Sequence, residues 1–502
     1  MESYRERRTE YCRHKRPIML LVLAAALATA ALPPPERLRI VRTSSGAVRF
    51  VRLHATVAGA GVRGTETDLI DLATGRTVER IVAGPLSSGN GYDGTRSWGA
   101  DATGMPIVNG NAEDRRDAAA WAHFFGRNGP ERPAIRLLAA RGPRIVLRVT
   151  YPRMTGPLDV TVDRRNGTIA EVIDRSGIDV AADRFSDYRR IRGTVLPFQT
   201  VTTTRTGVWI ERVRSVDFPA HVADAAFAPP PPPRDATLDG VSTVPIALHN
   251  GIPVVVVRIA GVPLRMLFDS GGSNLMTSRT ARRLGVQLVG DDKTGGIGPG
   301  LVAERYATVA RMEIGRASMR SQPFAVVDDP SMHDADGTIG CEVLQRFAVR
   351  FDFARRTVSF ARDAALLDPA GTEIPIRFSG CQPEIDGGFD AFDGPIAIDT
   401  GSAFGLDVMS PFTRAHRLVA RYHASATERG LGIGGASFGY LATARTLRLG
   451  PVQVRNVPIK LNLERTGSFA DPSQLGNVGT RVLGKFTTMF DYSTNRMWLM
   501  SR

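Results

Sequence analysis

The order of apolar and polar positions predicts β-structure in three stretches of the C-terminal half of the chain. Residues 252–269 are rich in β-branched apolar side chains broken by Gly and Pro, which predicts strands. Residues 347–360 alternate apolar and polar positions around an Ala-Arg-Arg turn, and residues 487–500 repeat this around Ser-Thr-Asn. Both predict β-hairpins. Short helices are predicted at 277–284 and 411–417.

An ordered series of matches indicates that this half of the chain is an internal repeat. Pro245 and Pro375 lie 130 positions apart, as do Asp269 and Asp399. Further along, CEVLQRFAVRFDF aligns with TRVLGKFTTMFDY without a gap. Offsets that drift by a few residues while keeping their order indicate duplication with small loop insertions. We therefore predict a first copy at 240–365 and a second copy at 366–502.

A different region precedes the repeat. Residues 36–228 contain strand-like segments, a predicted helix at 111–125, and an Arg164-Arg165-Asn166-Gly167 hairpin turn. Five consecutive prolines follow at 229–233, and such a run favours an extended, semi-rigid spacer. We predict an N-terminal domain at 36–228 and a linker at 229–239.

The N-terminus has the pattern of an export signal. Basic residues precede an apolar, Ala-rich stretch at 17–32 that ends in Ala28-Thr29-Ala30, a small-x-small cleavage pattern. The stretch is shorter than the ~20 residues that span a bilayer. We predict a signal peptide at 1–31 and an exported, periplasmic protein without a membrane span after cleavage; a retained signal anchor is the alternative.

Composition narrows the function classes. The hydrophobic fraction of 43% excludes a largely disordered chain. The net charge of +14 comes from arginines spread along the whole chain without a nucleic-acid-binding motif, so we expect no nucleic-acid partner. No Cys/His spacing indicates a metal site. After signal cleavage Cys341 and Cys381 remain, either as a disulfide or as two separate thiols.

The candidate chemistry lies at one equivalent place in each copy. Three apolar residues are followed there by an acid, a hydroxyl residue and a glycine, in Asp269-Ser270-Gly271 and again in Asp399-Thr400-Gly401. A carboxylate that ends a buried strand is costly, because desolvation disfavours its charge. The glycine allows close backbone approach, and the hydroxyl can bond across to the partner loop. The repetition favours a functional pair over two ordinary turns.

With these motifs, residues 240–502 resemble the retropepsin-like and pepsin-like aspartic peptidases. The resemblance extends to a glycine-rich flap in each copy, Gly296-Ile297-Gly298 and Gly432-Ile433-Gly434, and to an apolar-Gly segment at 338–340 and 477–479. Thr338 and Asn477 are more polar than that segment usually is. The resemblance implies a mainly β fold, with two tandem closed β-barrel lobes forming a pseudo-dimer within a monomer.

The same resemblance implies a mechanism and a substrate. Two carboxylates about 3 Å apart share one proton, so one member activates a water and the other polarises the scissile carbonyl. No metal or cofactor is required, and the substrate is a polypeptide held under the flaps. Sequence does not assign the two roles between Asp269 and Asp399. The alternative is a catalytically inactive envelope module that binds peptides or lipidated proteins.

The N-terminal region has a weaker resemblance. Tyr92-Asp93-Gly94, followed by Trp98, and its meandering strands are similar to the periplasmic lipoprotein-carrier proteins. This implies an α+β half-barrel and allows lipid binding, although a domain that supports or blocks the peptidase cleft is the simpler expectation. If it blocks the cleft, the protein is a zymogen.

Overall fold

The computed structural model describes residues 48–108, 134–150, 156–175, 178, 180–329, 332 and 334–501. The predicted signal peptide (1–31) and the predicted helix at 111–125 lie outside these residues. The described chain is mainly β, which confirms the predicted fold class. One compact unit ends at Pro231 and the other begins at Pro232. Within the described ranges, no helix has the length and apolar character needed to cross a bilayer.

The first unit contains one antiparallel meander in which β1 also pairs with β13. One face is apolar: Ile145, Leu147 and Val149 alternate with more exposed neighbours and pack in the core of this unit. The predicted turn at 164–167 joins β9 to β10 as expected. The strands are β1 Phe50–Gly59, β2 Val62–Asp71, β3 Thr77–Val82, β4 Ser88–Tyr92, β5 Ser97–Ala100, β6 Pro106–Val108, β7 Ala134–Arg141, β8 Arg144–Thr150, β9 Leu158–Asp163, β10 Ile169–Asp174, β11 Ala181–Ile191, β12 Thr194–Thr203 and β13 Val208–Asp217.

The second unit begins inside the predicted linker. Asp235 accepts a hydrogen bond from the buried Arg346 guanidinium at 2.6 Å, and the short strand β14 Ala236–Thr237 pairs with a strand of the first copy. The first copy continues with β15 Val241–Pro245, β16 Ala247–His249, β17 Ile252–Ile259, β18 Val262–Phe268, β19 Leu275–Thr277, β20 Val289–Thr294, β21 Val302–Ile314, β22 Ala317–Val327, β23 Gly337–Ile339, β24 Ala348–Asp352 and β25 Thr357–Ala361.

The second copy repeats this order of strands. Its strands are β26 Thr372–Pro375, β27 Arg377–Ser379, β28 Gln382–Phe389, β29 Phe392–Ile398, β30 Leu406–Val408, β31 Thr427–Gly432, β32 Gly435–Leu449, β33 Val452–Asn462, β34 Gly476–Val478, β35 Phe486–Asp491 and β36 Arg496–Ser501. In each copy a hairpin leads to the acidic loop, and a short parallel strand lies beside the second hairpin strand: β23 beside β18, and β34 beside β29.

Short helices follow the acidic loops. Ser278–Leu284 begins after Thr277, whose side chain accepts a hydrogen bond from the Thr280 amide, and ends at Gly285 in the left-handed region. Ser410–Ala415 occupies the equivalent place in the second copy, and Leu418–Arg421 follows it. Both predicted helices are thus present, with the second ending two residues early. The other α-helices among the described residues are Cys341–Leu344 and Thr480–Leu483, each next to an apolar-Gly segment.

The C-terminal hairpins of the two copies form one shared sheet, which the sequence did not predict. Its order is β15-β25-β24-β35-β36-β26, so each copy supplies three strands. The central pair joins Val349 to Phe490. Phe351 of this sheet packs edge-on against Phe268, with ring centroids 4.9 Å apart, directly before the first acidic loop. The shared sheet therefore supports the loops that carry the candidate site.

A disulfide between Cys341 and Cys381 also joins the two copies. The Cα atoms are 5.9 Å apart, within the usual range for such a bond. Of the two arrangements that the sequence left open, the structure contains the disulfide.

Candidate active site

The two acidic loops meet across the boundary between the copies. Asp269 follows β18 and Asp399 follows β29, and both are almost fully buried. A Cβ atom placed on Gly401 would lie 2.2 Å from Cγ of Asp269, and one on Gly271 would lie 2.9 Å from Cγ of Asp399. Each carboxylate therefore lies against the glycine of the opposite loop, where a larger residue would collide with it.

The hydroxyl residues of the two loops exchange hydrogen bonds. The Ser270 amide donates to Oγ1 of Thr400 at 2.9 Å, and the Thr400 amide donates to Oγ of Ser270 at 3.0 Å. Each hydroxyl then donates to a strand carbonyl of the other copy: Thr400 to Phe268 at 2.7 Å and Ser270 to Ile398 at 2.9 Å. These four bonds fix the relative position of the two loops.

Each carboxylate also accepts a hydrogen bond within its own loop. The Gly271 amide donates to Oδ1 of Asp269 at 2.8 Å, and the Gly401 amide donates to Oδ1 of Asp399 at 2.9 Å. The loops are thus equivalent in this respect. The structure brings all six predicted residues of the acidic tripeptides into one cluster.

Two residues that the sequence analysis did not assign to the site break this symmetry. Asn477 donates from Nδ2 to Oδ2 of Asp399 at 2.7 Å. The hydroxyl of Tyr492 lies 3.4 Å from the carbonyl oxygen of Ser270. Burial raises the pKa of Tyr492 well above its ordinary value, and the nearby charges of Asp269 and Asp399 raise it further. Tyr492 is therefore a neutral phenol. The unusual polarity of Asn477 in an apolar-Gly segment was the available sequence signal.

The predicted flap tips touch each other. The tip of the β20–β21 hairpin donates from the Gly298 amide to the Ile433 carbonyl at 3.1 Å, and from the Gly300 amide to the Gly434 carbonyl at 2.9 Å. A Cβ atom on Gly298 would lie 2.3 Å from the backbone of Gly434, so this approach requires glycine. Gly432 ends β31 and leads into the second tip.

The flap isoleucines pack into opposite copies. Ile297, from the first copy, is buried against Met409 and Phe469 of the second. Ile433, from the second copy, packs with Leu275 and neighbouring apolar residues of the first. The flaps are therefore closed, and each tip is anchored by the other copy.

The remaining acids have other surroundings. Asp352 accepts hydrogen bonds from the backbone and side chain of Arg355, and Asp491 accepts from Ser493, so both stabilise hairpin turns. Among the described residues, the group of three acids close enough together to hold a cation is Glu66, Asp68 and Glu79 of the first unit. Asn90 lies 3.4 Å from Glu79. A cluster of acids alone does not establish a metal site, and we assign it none.

Comparison with known proteins gives one family match. Residues 255–343, which include Asp269, match the family model described as Aspartyl protease. The first copy is thus similar to aspartyl proteases, and the match does not extend to the second copy. No curated protein matches the chain.

Three solved structures are similar to parts of the chain. A retropepsin-like aspartic protease from Rickettsia conorii is 20% identical, with 24% of this chain and 90% of that chain covered and a TM-score of 0.19. Basic 7S globulin from soybean is 10% identical (52% and 97% covered, TM-score 0.30). A LolA superfamily protein from Nitrosomonas europaea is 14% identical (36% and 89% covered, TM-score 0.27). At these scores they are similarities alone, and no role follows from them.

Proposed function

We propose that the protein is an exported aspartic endopeptidase whose two catalytic carboxylates are Asp269 and Asp399. The observation that carries the proposal is the reciprocal arrangement of the two acidic loops, in which each buried carboxylate lies against the glycine of the other loop. Proteins seldom bury two acids side by side, because each loses hydration and repels the other. The crossed bonds of Ser270 and Thr400 hold the acids together in spite of that cost.

The chemistry follows from this proximity. Two adjacent carboxylates retain one proton between them. The ionised member removes a proton from a water, while the protonated member donates a hydrogen bond to the scissile carbonyl. Water adds directly to the carbonyl carbon, without a covalent intermediate. In this proposal the closed flaps open to admit an extended polypeptide and then exclude bulk water from it.

We propose that the protein acts in the periplasm after its signal peptide is removed. The apolar segment at 17–32 supports export, and the disulfide between Cys341 and Cys381 is a bond that persists in oxidising compartments. That the N-terminal domain supports the peptidase or blocks its cleft stays a prediction, as does lipid binding by a half-barrel.

Cleavage of a mixed pool of unstructured peptides tests the function. The chain without residues 1–31 is compared with Asp269→Asn and Asp399→Asn, from about pH 3 to 8, with products identified by mass spectrometry. Asp239→Asn, at an exposed acid just before the first copy, is the matched control. We expect internal cleavage by wild type and control, and none by the two dyad variants.

Two outcomes would contradict the proposal. Cleavage that survives in either dyad variant would show that the two acids do not act as a pair. A wild-type protein that stays silent, also after cleavage at the proline linker, but binds the peptides, would favour the alternative of an inactive binding module.

A further inference from the structure

A chain of buried amide side chains leads to one member of the dyad. Asn477, whose Nδ2 donates to Asp399, accepts at Oδ1 from Nε2 of Gln382 at 3.2 Å. Gln382 in turn accepts from Nε2 of Gln474 at 3.3 Å, and Gln474 also donates to the carboxylate of Glu384. None of these four side chains is more than 7% exposed. We call these residues (Asn477, Gln382, Gln474 and Glu384) the amide relay.

The first copy has no such relay at the equivalent positions. Thr338 replaces Asn477, since each is the middle residue of the short parallel strand beside the acidic strand. The hydroxyl oxygen of Thr338 is buried and makes no hydrogen bond with any residue that the structure describes. The other three positions are apolar in the first copy: Ile252, Val254 and Ala335.

The relay has a fixed direction. Gln474 donates to Gln382, Gln382 donates to Asn477, and Asn477 donates to Asp399. If the Asn477 amide rotated by half a turn, its oxygen would face the carboxylate and its nitrogen would face the donor of Gln382, so both bonds would be lost. Buried polar groups are tolerated when such a network satisfies them. The relay therefore presents a donor, and never an acceptor, to Oδ2 of Asp399.

We propose that Asn477, held by the amide relay, is a positioning residue that makes Asp399 the ionised member of the dyad and leaves the shared proton on Asp269. A hydrogen bond donated to a carboxylate stabilises its charged form. Asp399 then acts as the base towards water, and Asp269 donates its proton to the substrate carbonyl. Asp399 lies against the loop that carries Asp269, and the charges of both acids act on the neutral Tyr492. The assignment rests on the proposed function.

The pH dependence of peptide cleavage tests the assignment. In Asn477→Thr, which installs the residue of the first copy, the acid limb of the kcat/KM profile should move up by about one pH unit, because the lost bond to a charged group has that magnitude. KM should change little, since Asn477 is buried beneath the dyad. Gln382→Ile should move the acid limb to higher pH by a smaller amount. This variant keeps Asn477 but removes the hydrogen bond that Gln382 donates to it.

Thr338→Val is the matched control, since it is equally buried at the equivalent position and removes no described hydrogen bond. Its profile should coincide with that of wild type. An Asn477→Thr profile that keeps its acid limb, or that falls equally at every pH together with the melting temperature, would overturn the assignment and leave Asn477 a structural residue.

A second readout is independent of cleavage. In the full chain labelled with 13C at aspartate side-chain carboxyls, the Asp399 signal should titrate at lower pH than the Asp269 signal, with assignment from Asp269→Asn and Asp399→Asn. Asn477→Thr should narrow that difference. The opposite order in wild type would refute the assignment even in an active peptidase. The expected order in a protein that cuts no peptide would uphold the relay while the proposed function fails.

Discussion

At the scale of single residues, Gly401 and Gly271 determine whether two buried carboxylates can meet. We expect Gly401→Ala to abolish cleavage while the chain still folds, because the added Cβ would lie within 2.5 Å of three carboxyl atoms of Asp269. Gly271→Ala should be less damaging, since the closest carboxyl atoms are 2.9 Å away. Measurements of kcat on a cleaved peptide, with circular dichroism for the fold, check this order.

Gly99→Ala is the control for the glycine variants, because nothing lies within 4 Å of a Cβ atom at that position in the first unit. It should keep full activity. A Gly401→Ala protein with normal kcat would mean that the loops can separate without cost, and hence that their close approach is not required for catalysis.

The residue scale also shows how far sequence could predict the site. The tripeptides with Asp269 and Asp399 were predictable because strand, acid, hydroxyl and glycine are consecutive and occur twice. The role of Asn477 was not, since its bond to Asp399 joins residues 78 positions apart. Likewise Tyr492 reaches a loop 222 positions away. Only the packed chain reveals that Asn477 donates to Asp399.

At the scale of elements, the two copies differ in how they fill the same place. In the second copy, Lys460 of β33 and Asp407 of β30 form a buried ion pair at 3.0 Å. The two equivalent positions of the first copy, which also face each other on paired strands, are occupied by Val326 and Met276. The ammonium also lies 5.2 Å from the ring of Phe469, which packs against the flap residue Ile297. The ion pair therefore lies next to Phe469, one of the residues that hold the first flap tip in the second copy.

Lys460→Val alone should lower the free energy of unfolding by about 3–5 kcal/mol, because it leaves a buried carboxylate without its cation. The double variant Asp407→Met/Lys460→Val restores the residues of the first copy and should return most of that stability. Urea unfolding followed by circular dichroism measures both. A single variant within about 1 kcal/mol of wild type, or a double variant no better than the single, would contradict a net role for the ion pair.

Sequence predicted the elements better than their partners. The hairpins at 347–360 and 487–500 were predictable from alternation and turn residues, and both are present. That β24 pairs with β35 across the copies was not, because a strand's alternation fixes which face is buried but not which edge it meets. The flap tips were predictable from their glycines. The packing of Ile297 in the second copy and of Ile433 in the first was not, because it joins residues that are far apart in the sequence.

At the scale of the whole molecule, the disulfide between Cys341 and Cys381 ties the copies together. It closes a segment with a separation of 40 residues, and loops of this length are worth about 4 kcal/mol in the chain-entropy account. Reduction of the disulfide should therefore lower the urea concentration at which half of the unit that begins at Pro232 is unfolded. Cys341→Ala/Cys381→Ala should show the lower midpoint with or without reductant. An unchanged midpoint on verified reduction would mean that the shared sheet alone holds the copies.

If the protein is the proposed peptidase, one chain should be sufficient for catalysis. Asp269 and Asp399 come from the two copies of the same chain, and each copy supplies three strands to the sheet beneath them. Cleavage per molecule should therefore be constant from nanomolar to micromolar enzyme, and light scattering should give the mass of a monomer. In a site built from two chains, cleavage per molecule would instead fall in proportion to concentration on dilution, as the chains separate. Because one chain carries both acids, dilution should leave the dyad intact.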